Sequence, residues 1–121
     1  MSNPIRSYRD LVAWQRAREL VRLVYQFTAG YPSSERFGLV TQMRRAAIGV
    51  LSNIAEGYGR GSRPDYLRFL RIARGSLFEL ESQTIVSVDL GFLAEAQSHR
   101  LATLVDEVAK PLSGLIRVLE K

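Results

Sequence analysis

Cysteine is absent from the 121 residues, and histidine and tryptophan occur once each, as His99 and Trp14. Without cysteine there is no disulfide scaffold, no thiol nucleophile and no thiolate metal site. A lone histidine rules out a multi-histidine metal centre within one chain. Long apolar runs are missing too: none approaches the ~20 residues that span a bilayer, and no signal-peptide pattern opens the chain. A cytoplasmic protein with no membrane partner is therefore expected. No segment alternates apolar and polar residues between hairpin turns, which argues against strands. Lysine is scarce: of 17 basic residues only Lys110 and Lys121 are lysine and the rest are arginine.

Phosphate-loop and dinucleotide signatures are also lacking. Gly57-x-Gly59-x-Gly61 has the wrong spacing and follows a helical pattern rather than a strand. Ser52, Ser76 and Ser82 have no histidine nearby in sequence. The acidic pairs Glu79-x-Glu81 and Asp106-Glu107 lack the Glu-x-x-His pattern of di-iron bundles. No catalytic residue, metal or cofactor is expected, and an enzyme is the weakest reading.

What is present is ordinary globular composition, 46% hydrophobic and 24% charged, at a length that suits one domain. The net charge is +5 and unevenly spread. Residues 1–74 carry thirteen arginines and five acids, a surplus of 8; residues 75–121 carry four bases and seven acids, a deficit of 3. Such a chain suits a polyanion, or head-to-tail association with copies of itself.

Four segments show a period near 3.6. The first runs from about Tyr8 to Thr28, with Ala13, Ala17, Leu20, Val21 and Val24 on one face. The second starts near Ser33 or Ser34 and ends in the glycine-rich break 57–61. The third opens at Ser62-Arg63-Pro64-Asp65, a capping pattern, and ends near Asp89. The fourth runs from about Ala94 to Leu119, with a kink expected at Pro111. The reading is all-α: an antiparallel up-down-up-down four-helix bundle as a single domain over 8–121, preceded by a flexible N-terminus, 1–7.

Three constellations stand out. On the second helix, Gln42, Arg45, Gly49, Ser52, Asn53 and Glu56 share a side away from the apolar stripe, rich in amide and small groups rather than the Lys/Glu pairs of solvated faces. It reads as a packed polar interface or a solvated face. On the third helix, Leu67, Phe78 and Ile85 form a second apolar line, which suits a subunit interface or scattered surface residues. Arg60, Arg63, Arg68, Arg71 and Arg74 lie on and before the third helix, with Tyr58 and Tyr66 flanking its N-terminus. Guanidinium groups at a helix start suit phosphate, and the rings suit stacking on bases; a capped turn with solvated arginines is the commoner arrangement. Trp14 and Tyr25 read as core or interface aromatics.

The stretches YRDLVAWQRA (8–17), YPSSERFGL (31–39), QMRRAA (42–47), SNIAEGYGR (52–60) and IARGSLFELE (72–81), followed by Leu90-Gly91, resemble the 23S rRNA intervening-sequence proteins, or S23-type family. SNIAEG is the most specific of them. The resemblance covers about positions 8 to 119. It implies a ring-shaped homo-oligomer, most often a pentamer, of closed antiparallel bundles. It also implies similarity to the accessory proteins of diversity-generating retroelements, basic rings that bind nucleic acid and a reverse transcriptase. The family pattern has Ser-Ile-Pro where this chain has Gly49-Val50-Leu51, so its proline kink is missing here. The expected function is non-enzymatic, sequence-tolerant RNA or DNA binding. The alternative is a protein-interaction scaffold.

Overall fold

The computed structural model describes residues 4–121. Residues 1–3 of the segment expected to be a flexible N-terminus lie outside the described residues. Arg6 and Ser7 are tied down: their backbone N–H groups donate to the Asp10 carboxylate at 2.8 and 3.2 Å. The Ser7 hydroxyl in turn accepts from the Arg9 N–H at 3.1 Å. This reciprocal cap closes a 3-10 turn, Tyr8–Asp10. Leu11 then turns extended and is buried, so the first α-helix starts later than its apolar stripe suggests.

That helix, α1, spans Val12–Thr28. Ser33–Glu35 forms a second 3-10 turn instead of opening the next helix. Gly38 leaves the helical path, and the Glu35 carboxylate accepts the Leu39 N–H at 3.2 Å, so α2 spans Leu39–Tyr58. The two helices that follow begin where side chains cap them. Ser62 Oγ accepts the Asp65 N–H at 3.3 Å and opens α3, Arg63–Asp89. The Gln97 side chain accepts the Ala94 N–H at 3.0 Å at the start of α4, Glu95–Glu120. Gly61 (φ 82°) and Gly91 (φ 78°) make the turns before α3 and α4 in the left-handed region that glycine enters without strain. α4 continues unbroken through Pro111.

The described residues are all-helical apart from turns, with no strand. α1 packs on α2, α2 on α3, α3 on α4, and α4 on α1, so the four helices form a closed square. The expected stripes meet inside it: Ala13, Ala17, Leu20 and Val24; Met43, Ala47, Val50 and Ile54; Leu70, Ala73, Leu77 and Leu80; Leu101, Val108, Leu112 and Ile116. Each large member stabilises the fold by about 1.5–3 kcal/mol through removal from water. The buried hydroxyls are satisfied locally, whereas the buried Gln83 Oε1 has no hydrogen-bond partner among the described residues. Thr28, Thr84 and Ser87 hydroxyls donate to carbonyls one turn back at 2.7–2.9 Å. Tyr31 and Ser87 hydroxyls both reach the Met43 sulfur at 3.5 Å, and burial pushes the Tyr31 phenol above its ordinary pKa.

α2 and α3 approach through glycines. A Cβ at Gly57 would sit 2.8 Å from the Phe69 Cβ, and one at Gly49 would sit 3.1 Å from the Ser76 Oγ. Gly57 is therefore a buried packing position within α2, not part of a flexible break. No helix is long and apolar enough to cross a membrane among the described residues.

Candidate nucleic-acid interface

The arginines around the start of α3 are engaged within the chain. Arg60 lies 3.6 Å from Glu56 and 4.0 Å from Asp65, with its guanidinium 5.1 Å above the Phe69 ring. Arg68 lies 3.9 Å from Asp65 and 4.5 Å above the other side chain it covers, Phe69. Arg63 donates to the Lys121 carbonyl at 2.8 Å, and Arg71 to the Glu120 carboxylate at 2.7 Å. Arg74 is half-buried and makes no ion pair among the described residues. Tyr58 and Tyr66 meet edge-on at 6.1 Å, Tyr66 lies against Gly57, and burial raises the Tyr66 phenol pKa. Carboxylates, a carbonyl and Phe69 thus already occupy most of the cations that the sequence grouped as a phosphate cradle.

The amide-rich side of α2 divides. Gly49 faces Ser76 of α3, and the Asn53 side chain donates to the Gly49 carbonyl at 2.7 Å, so these two serve packing inside the chain. Gln42, Arg45, Ser52 and Glu56 are exposed, with Glu56 turned to Arg60. On α3, Leu67 is half-buried against the core, whereas Phe78 and Ile85 are 56% and 58% exposed. Hence only the C-terminal two-thirds of that apolar line is open.

A different set of cations gathers along the seam between α1 and α2. Arg44 lies 4.4 Å above the Tyr25 ring and is held there by bonds from its guanidinium to the Thr28 hydroxyl (3.0 Å) and the Tyr25 carbonyl (3.4 Å). Arg18 lies 6.0 Å above Trp14, and Arg9 5.7 Å above Tyr8; the Tyr8 and Trp14 rings meet edge-on at 5.2 Å. Arg9, Arg18, Arg22, Arg44 and Arg45 form no ion pair among the described residues. The acids nearby are already engaged: Glu19 pairs with Arg16 at 3.3 Å, Glu56 with Arg60 at 3.6 Å, and Asp10 caps the turn at residues 6 and 7, whose N–H groups hold its carboxyl below the ordinary pKa.

The seam is a chain of open recesses. One of about 560 Å³ is lined by Tyr25, Thr41, Arg44, Arg45, Ile48 and Ser52. Ser52 also lines the next, with Tyr8, Ala55, Glu56, Gly59 and Arg60. Tyr8 also lines a third, built by the 3-10 turn and α1 alone, with Arg9, Trp14, Gln15 and Arg18. Cations over aromatic rings in an open groove are equipped to bind a polyanion and to stack on planar groups. Sequence reading missed this site. Trp14 and Arg18 are one helical turn apart, a usable signal. Tyr25 and Arg44 meet only across two helices, which no spacing reveals.

The chain is similar to known proteins at two levels. The family model for the 23S rRNA-intervening sequence protein matches residues 9–114. The crystal structure of a protein of unknown function from the S23 ribosomal protein family of Bacteroides thetaiotaomicron superposes with a TM-score of 0.76 at 24% identity. That alignment covers 87% of this chain and 98% of the other, and it shows a shared fold. No curated protein matches the chain.

Proposed function

Since the chain belongs to the 23S rRNA-intervening sequence protein family, we propose that it acts without catalysis, as a homo-oligomeric four-helix bundle that binds RNA or DNA through arginine-rich surface. The observation that carries the reading is the α1–α2 seam and the recess beside it, where Arg18, Arg44 and Arg45 line open recesses with no carboxylate pairing them among the described residues. Arginine in such a groove meets phosphate through paired N–H donors and releases counterions on binding. Contacts of this kind read no sequence.

The helices alternate up and down in this reading. Residues 59–62 and 90–94 are short connections, which suit antiparallel neighbours, and Arg71 near the start of α3 reaches Glu120 at the end of α4. Copies gather into a ring through the Phe78 and Ile85 line, and gathering multiplies the basic seams through avidity.

Titration with labelled RNA and DNA of unrelated sequences at low and at physiological salt tests the function. The expected result is binding to both that weakens steeply as salt rises. No binding at low salt contradicts it.

A further inference from the structure

We propose that the α1–α2 seam holds an unpaired nucleic-acid strand, its bases stacking on the Tyr25–Arg44 plate and the Tyr8–Trp14 pair and its phosphates meeting Arg18 and Arg45. The inference rests on the nucleic-acid reading above and specifies the ligand. A groove for a duplex backbone needs cations and hydrogen-bond donors alone. This groove sets Ile48 and Tyr25, both 39% exposed, among those cations. Such apolar and aromatic surface is useful to a base face, and paired bases keep their faces covered within the stack.

The plate is preformed. Two hydrogen bonds hold the Arg44 guanidinium over the Tyr25 ring, 4.4 Å from its centroid, so a planar cation is offered there without further ordering. Trp14 and Tyr25 lie eleven residues apart on one helix, about 16 Å, a span for roughly five stacked nucleotides at 3.4 Å each. Arg18 lies between them, and Arg45 lines the recess beside Tyr25. The charge, +5 per chain, is complementary to the strand.

Trp14 is the sole tryptophan, so its emission reports on one end of the seam. The experiment titrates the assembled protein at low salt with oligothymidylate of about twelve nucleotides, and separately with a duplex of equal length. The expected result is tighter binding of the single strand, with Trp14 quenched by it and not by the duplex. Tyr25→Ala, at an exposed position, is expected to weaken single-strand binding about tenfold and leave duplex binding within about twofold. Equal affinity for both forms with Trp14 emission unchanged overturns the inference and leaves the nucleic-acid reading standing. Absence of binding to either form overturns both.

Discussion

At the residue scale, glycines on α2 and α3 have opposite roles. A Cβ at Gly57 would sit 2.8 Å from the Phe69 Cβ and 3.2 Å from the Tyr66 carbonyl, whereas nothing lies within 4 Å of a Cβ at Gly75. Gly57→Ala is expected to lower stability by about 1–2 kcal/mol, because overpacking outweighs the gain in helix propensity. Gly75→Ala is expected to raise it by about 0.5–1 kcal/mol. Chemical denaturation of both variants checks the pair of signs. Asp10 supplies a pH prediction. Its pKa in the fold lies below the ordinary 3.8 because it accepts N–H bonds from Arg6 and Ser7. The contribution to the cap is therefore complete above 3.8 and lost as pH falls through the depressed value. Amide proton shifts of Arg6 and Ser7 are expected to titrate together in that acidic range and to stop doing so in Asp10→Asn. The sequence shows the spacing of Ser7 and Asp10 but gives no sign that Leu11 becomes extended, which is why the first α-helix was expected to start too early.

Elements were legible wherever a periodic stripe met a core. The buried faces of all four helices agree with the pattern of their apolar residues, because burial is what the period records. Boundaries were legible where a cap is local, as at Ser62. The start of α2 was not, because Gly38 and the Glu35 side chain set it together. The α3 arginines show the same difficulty for function: their spacing is visible in sequence, while their partners Glu120 and Lys121 are far along the chain. Within α4, Pro111 leaves the Glu107 carbonyl without its helical N–H donor. Pro111→Ala is expected to raise stability by about 1 kcal/mol, read from the thermal midpoint. A lowered midpoint instead assigns the half-buried ring a packing role that outweighs the lost hydrogen bond.

The whole molecule has two electrical sides. The surplus of arginine lies in α1, α2 and the start of α3, and the acids concentrate in the rest of α3 and in α4. Neighbouring copies can therefore meet with opposite charges around an apolar centre at Phe78 and Ile85. Phe78→Glu with Ile85→Glu is expected to reduce the proposed oligomer to particles of 13.6 kDa with helix content unchanged. Light scattering and circular dichroism check it. An assembly that survives places the interface elsewhere.

The proposed function assigns the polyanion to the arginines lining the α1–α2 recesses, whereas Arg63, Arg68 and Arg71 bond to groups of their own chain. A salt-controlled binding comparison separates the two sets: Arg9, Arg18 and Arg45 changed together to glutamine, against Arg63, Arg68 and Arg71 changed together to glutamine. The first set is expected to lose affinity by at least about a hundredfold with a shallower salt slope, and the second to stay within about threefold of the parent. The reverse order contradicts it.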